Sequence, residues 1–204
     1  MIIFNFTENY QFSTRLYLEN TLLEIISETK LLGTIISSDL KWVKNTEMLV
    51  KKGYQRMLIL HRLYSFKIDV SELVTIYILY IRSILEFSCQ VWHFDITEEE
   101  SMDLERVQKV ALKIILQEDY LTYEDALESL NLDTLRKRRE KLCLSFAKKC
   151  VMHPKAKEMF PFNTPNVLTN RDRECFYVQH ASTSRLRDST IPQLQRALNL
   201  DLKR

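Results

Sequence analysis

LLGTIISSDLKW, residues 31–42, is where the chain changes its period. Before it, Phe12, Thr14, Leu16 and Leu18 alternate with Ser13, Arg15 and Tyr17, the period-two pattern of a half-buried strand. After it, Leu49, Gly53, Met57, Leu60 and Tyr64 recur at three- and four-residue intervals, one face of a helix. Gly33 lies in an apolar, β-branched run and reads as a bulge or a close backbone approach within a strand. On this reading Ile35 and Ile36 pack inward, Ser37-Ser38-Asp39 turns the chain, and Trp42 anchors the first helix to the core.

Two glycines and four prolines in 204 residues leave little material for the turns of a barrel or sandwich. With 46% hydrophobic and 27% charged residues the chain reads as globular and mainly α, with a small N-terminal antiparallel β element. Turns are expected at Thr7-Glu8-Asn9 and at Glu19-Asn20-Thr21. The first helix is expected to be capped by Asn45, and the second, an apolar run over 72–92, by Ser71. Arg82 and Glu86 interrupt that run short of a membrane span, so it is expected as a central buried helix. Thr97 and Glu100 form a capping box for a third helix whose apolar face is Leu104, Val107, Ala111, Ile114 and Ile115. A short helix is expected over 123–130, and a longer one that starts after Asp133 and stops before Pro154. Beyond it the chain reads as loop to about 174, then a short strand in RECFYV (173–178). A last short helix follows, capped by Thr190 and Gln193 with Pro192 in its first turn.

Few residues here have the spacing of catalytic groups. There is no Gly-rich phosphate loop, no placed Ser-His-Asp set and no Asp-Asp dipeptide; the acidic pairs fall at helix ends, where carboxylates cap. Cys89 with His93 and Cys150 with His153 have half-site spacing for zinc, but they read as buried thiols beside incidental histidines, and no metal ligand is assigned. The four cysteines read as reduced, and MIIFNF lacks the basic start of a secretory signal. An intracellular chain, in cytoplasm or nucleus, is therefore expected.

Net charge is only +2, so any nucleic-acid role must come from local arrangement. Lys44, Lys51, Gln55 and Arg62 fall on one narrow arc of the first helix over about 27 Å, with no acid in the arc, as suits a phosphate backbone. Arg106, Lys109 and Lys113 line the outer face of the third helix, and Lys137, Lys141 and Lys148 that of the longer one. Arg139 points the other way, toward Leu135, Leu142 and Phe146. A cation there needs an acidic partner; Glu86 or Glu105 is expected to supply it, with Arg82 in the same buried network.

KLLGTIISSDLKW, YILYIRSILEFSCQVWH, LERVQKVALKIIL, TLRKRREKLCLSFAKKC and ASTSRLRDSTIPQLQRALN, in that order, resemble the C-terminal portion of reverse transcriptases from jockey-type non-LTR retrotransposons. The resemblance implies terminal palm-like strands and a primer-grip-like turn (Leu32, Gly33, Asp39, Trp42) over 1–42. It implies a helical thumb-like bundle over 43–153, and a loop-rich region ending in a short helix over 154–204. It implies an RNA–DNA hybrid or other nucleic acid as partner, alongside a missing palm and fingers, with no membrane and no small-molecule substrate. No catalytic residue carries over, because the Asp-Asp strand has no counterpart here; the parent polymerase would use Mg, and no cofactor is expected in this chain. A domesticated or stand-alone helical protein-interaction module, or a decayed fragment without function, fits the same residues.

Overall fold

The computed structural model describes residues 2–4, 15–162, 175–178, 180 and 183–202. Phe12, Thr14, the turn expected at Thr7-Glu8-Asn9 and the loop over 163–174 lie outside the described residues. The fold is mainly α, preceded by two short antiparallel hairpins. β1 (Tyr17–Leu18) pairs with β2 (Thr21–Leu22) around Glu19 and Asn20, both at positive φ. β3 (Glu28–Leu31) pairs with β4 (Thr34–Ser37) in the register Glu28↔Ser37 to Leu31↔Thr34. Among the described residues the strands form two separate two-stranded sheets rather than the single one expected.

Leu32 (φ +47) and Gly33 (φ +93) form the whole loop between β3 and β4. Positive φ at both positions is the pattern of a type I′ turn, whose twist matches that of the flanking strands. Gly33 is thus a hairpin residue rather than a bulge. The close approach does hold: a Cβ on Gly33 would lie 3.0 Å from the Phe87 ring. The turn at Ser38-Asp39 closes by a hydrogen bond from Leu40 N–H to the Ser37 carbonyl (2.9 Å).

α1 (Val43–Ser65) begins with Trp42, not Asn45, at its N-terminal flank, and Trp42 is buried as expected. Asn45 lies inside the first turn, where its Oδ1 accepts from Ile35 N–H on β4 (3.1 Å). It sews the hairpin to the helix. Thr46 Oγ1 lies 3.0 Å from the Trp42 carbonyl and 3.3 Å from the Glu100 carboxylate, either of which accepts its one proton, joining the start of α1 to the next long helix.

The apolar run expected as one helix has three parts. α2 (Val70–Ile76) starts after Asp69 rather than Ser71; a π-helical stretch (Tyr77–Arg82) and α3 (Ser83–Leu85) follow. Leu73, Tyr77, Ile81, Leu85 and Cys89 are all buried, at strict four-residue steps. In an α-helix a row at that spacing drifts about 40° per step. The i→i+5 bonding of a π turn winds more slowly and removes part of that drift, which keeps the row on the core. Ser88 (φ +52) then turns the chain into α4 (Cys89–Trp92).

α5 (Glu98–Leu116) carries the expected capping box: Glu100 N–H donates to Thr97 Oγ1 (3.2 Å), and Thr97 N–H to the Glu100 carboxylate (2.7 Å). Its five expected apolar residues are buried. α6 (Tyr123–Ser129) and α7 (Leu135–Met152) lie as expected. α8 (Ser184–Asp188) and α9 (Thr190–Asp201) follow. α9 packs on α7 and α4, adding Leu194 and Leu198 to the core. Ser189, not Thr190, flanks α9; the Thr190 hydroxyl donates to the Val91 carbonyl (3.1 Å). The strand expected in RECFYV is a single bridge from Phe162 to Phe176. Tyr64 and Phe146, expected on apolar faces, are exposed. No helix among the described residues is long and apolar enough to cross a membrane.

Gly53 is where α1 meets the rest of the core. A Cβ there would lie 2.8 Å from Val107 Cγ1 and 3.1 Å from Leu85 Cδ2. Val107 is β-branched and cannot swing its methyl groups aside cheaply. Overpacking of this kind costs about 1–3 kcal/mol, against about 1 kcal/mol regained from the higher helix propensity of alanine. Gly53→Ala is expected to lower stability by about 1 kcal/mol net, and Gly53→Val by more, read as a fall in urea midpoint at constant slope. An alanine variant as stable as the parent would show that α1 and α5 are not in close contact there.

Candidate nucleic-acid interface

Lys44, Lys51, Gln55 and Arg62 are exposed and lie within an arc of about 40° on α1, opposite the buried Leu49, Gly53, Met57 and Leu60. Packing of α1 on α5 and α3 through Gly53 therefore turns this row away from the core. Leu58, more than half exposed, interrupts the row between Gln55 and Arg62.

The row is shorter than its sequence implies. Lys44 forms an ion pair with Glu28 of β3, and this hydrogen bond raises the pKa of its ammonium. Both side chains are well exposed (57% and 43%), so the pair is of the weak surface class. Lys51 and Arg62 have no acidic partner among the described residues. They span about 17 Å along the helix.

Of the residues expected in the primer-grip-like turn, Leu32 projects at the hairpin tip, 89% exposed, and Gly33 lies against Phe87. Asp39 Oδ1 accepts from Lys41 N–H (3.0 Å), and Trp42 is buried. These four do not converge. Between the hairpin and α1 lies an open cleft of about 350 Å³ lined by Glu28, Asp39, Lys41, Lys44 and Glu47 among others. Three acids against two cations leave the cleft itself no excess of positive charge. The basic surface is the middle and end of α1.

Other basic faces are occupied. Lys137 and Lys141 both bind Asp133, which holds its carboxyl well down, at about 2, and Lys148 pairs with Asp201 (2.7 Å). On α5, Arg106 pairs with Asp103, while Lys109 and Lys113 sit over the rings of Tyr123 (4.8 Å) and Tyr120 (5.4 Å). On α1 itself, Arg56 donates to the Tyr80 carbonyl (2.6 Å) and lies over the Tyr80 ring (4.1 Å).

The buried network exists with different partners. Arg139 is fully buried but has no carboxylate partner among the described residues. Its Nη2 donates to Ser101 Oγ (2.8 Å), its Nε to His93 Nδ1 (3.3 Å), and its guanidinium carbon is 5.8 Å from the centroid of the Trp92 ring. Nη1 has no hydrogen-bond partner among the described residues. Glu86 instead binds Arg138 through both oxygens (3.0 and 3.3 Å) and lies 3.7 Å from Arg82 Nε. Glu105 accepts from Leu135 N–H (3.0 Å), Arg136 N–H (3.4 Å) and Tyr123 Oη (3.2 Å), so it caps α7, where the helix dipole favours an anion. The expected cluster is thus two sites, and Arg139 belongs to neither.

Sequence reading missed Gln108, the hub of a second buried chain. Tyr77 Oη donates to Gln108 Oε1, and Gln108 Nε2 donates to Tyr123 Oη (2.7 Å) and to the Asp133 carbonyl (3.1 Å). Burial raises both tyrosine pKa values, so both hydroxyls keep the protons they donate. A polar residue on the buried stripe between Val107 and Ala111 was the available signal. Cys89, Cys143 and Cys150 are buried free thiols. Among the described residues no group of three or more His, Cys, Asp or Glu is arranged to hold a metal ion. No protein-family model, curated protein or solved structure matches this chain.

Burial, followed by the charges of Arg139 and Arg136, lowers the His93 pKa to about 4. Between that value and the ordinary 6.5 the unfolded chain binds a proton that the folded chain does not, so stability rises with pH across this window. On acidification from pH 6.5 to 4 the fold is expected to lose roughly 3 kcal/mol through this residue. His93→Asn, which keeps an acceptor for Arg139, is expected to flatten the pH dependence of the urea midpoint between pH 5 and 6.5. An unchanged slope in the variant would show that His93 protonates freely in the fold.

Proposed function

We propose that this chain is a nucleic-acid-gripping unit that holds the sugar–phosphate backbone of an RNA–DNA hybrid against the outer face of α1. The resemblance of its segments, in order, to jockey-type reverse transcriptases supports a reading as the end of the palm, the thumb and the helical region that follows. The observation that carries the reading is the exposed line Lys51–Gln55–Arg62, directed away from the core and without acidic partners among the described residues. Contacts of this type are to phosphate and sugar, so binding is indifferent to base sequence and weakens with salt. Lys44 joins the row when phosphate displaces Glu28, since an exposed pair costs little to break. On this reading the chain has no polymerase activity of its own, and Mg chemistry belongs to the palm of the parent enzyme. It acts inside the cell, in cytoplasm or nucleus.

Fluorescence anisotropy with a labelled RNA–DNA hybrid at low salt tests this. Lys51→Ala/Arg62→Ala is expected to weaken binding at least about tenfold and to lower the slope of log K against log salt by about 1.8, two contacts at about 0.9 each. Lys148→Ala, on α7 and already paired with Asp201, is expected to leave both unchanged. Equal affinity in the double variant and the parent would overturn the assignment. One observation favours a second reading, a protein-interaction module: the outer edge of β3 has no partner strand among the described residues.

A further inference from the structure

Among the described residues β3 has one neighbouring strand, β4, and none on its other edge. Leu31↔Thr34 closes a two-residue turn, so Leu31 and Thr29 direct their backbone groups to β4 while Glu28 and Lys30 direct theirs outward. The same alternation exposes the N–H of Ile35, opposite Lys30, on the far side of β4, where Asn45 takes it up. No such group meets Glu28 or Lys30: their outward N–H and C=O groups have no partner among the described residues. The Glu28 and Lys30 side chains are exposed, and Lys30 has no acidic partner among the described residues.

We propose that this edge binds a second copy of the chain, β3 against β3, antiparallel about a two-fold axis through Thr29. In that register Glu28 of each copy lies opposite Lys30 of the other, and Thr29 faces Thr29. The two charged pairs are the hydrogen-bonding pairs, so four backbone bonds form from the four groups now open on each copy's edge, with two opposite-charge contacts beside them. The result is a four-stranded sheet, β4–β3 followed by β3–β4 of the second copy. The sequence Glu28-Thr29-Lys30 is its own complement only when antiparallel. Stacked parallel and in register it sets Glu beside Glu and Lys beside Lys, which repels. Charges that ordinarily blunt an edge strand here select one partner. The contact is small, of the weak and transient class.

Sedimentation equilibrium of the full chain tests this by charge exchange, with circular dichroism to check each variant's fold. The parent is expected to self-associate reversibly below about 500 µM, as a contact of this size allows. Glu28→Lys alone and Lys30→Glu alone set like charges opposite each other, and each is expected to weaken the dimer at least about tenfold. Mixed in equal amounts the two variants restore both opposite-charge pairs, and association is expected to return. Lys30→Pro removes an outward donor without touching a β3–β4 bond and is expected to abolish the dimer. A parent chain that stays monomeric at that concentration overturns the proposal. So does a dimer indifferent to Lys30→Pro, or a mixture that fails to associate.

Discussion

The absence of a side chain at Gly53 sets the distance between α1 and the rest of the bundle. Val107 and Leu85 fill the space that a Cβ would take, so α1 lies down on both α5 and α3. Its rotation about its own axis follows from that contact. With Leu49, Met57 and Leu60 buried on one side, Lys51, Gln55 and Arg62 can only face solvent on the other. The hairpin follows too, because Asn45 and Thr46 sit on the buried flank of the same helix and tie β4 and α5 to it. A single small residue thus decides both what the core contains and what the surface presents.

Polar groups, not only apolar ones, hold the other helices. Gln108 is fully buried with its described hydrogen bonds made, and it links the π-helical stretch, α6 and the turn before α7. Arg139 links α7 to α4 and α5, and it does so with neutral partners. Leaving a guanidinium in the core on a neutral imidazole, a hydroxyl and an aromatic face is costly unless the imidazole stays unprotonated. Fold and proton state are therefore coupled at His93. Buried networks of this kind specify one arrangement of helices where an apolar core would allow several.

Much of the fold could be read from local pattern. The capping box at Thr97 and the apolar face of α5 each depend on residues within a turn or two, and they stand as expected. Leu16 and Leu18, expected on the buried face of a strand, are instead exposed, and Phe12 and Thr14 lie outside the described residues. What could not be read depends on residues far apart in sequence. Lys44 meets Glu28 across the hairpin, and helical phasing alone does not say that Arg138 rather than Arg139 reaches Glu86. The four-residue row from Leu73 to Cys89 did hold the signal for a π turn, since no α-helix keeps such a row on one side. Gly33 misled because a two-residue turn with leucine at a positive φ lacks the asparagine or aspartate that usually marks it. The candidate interface was half legible: its line along α1 stands, while its first member is paired and the turn residues beside it do not converge.

The account rests on the claim that a nucleic-acid backbone lies along the outer face of α1. Amine-reactive footprinting of the chain, free and bound to an RNA–DNA hybrid at low salt, reads that face directly. The account predicts that Lys51 becomes protected on binding, and Lys44 with it, while Lys137, Lys141 and Lys148 keep their reactivity. Binding that leaves Lys51 as reactive as in the free chain, or that protects the α7 lysines instead, would contradict it.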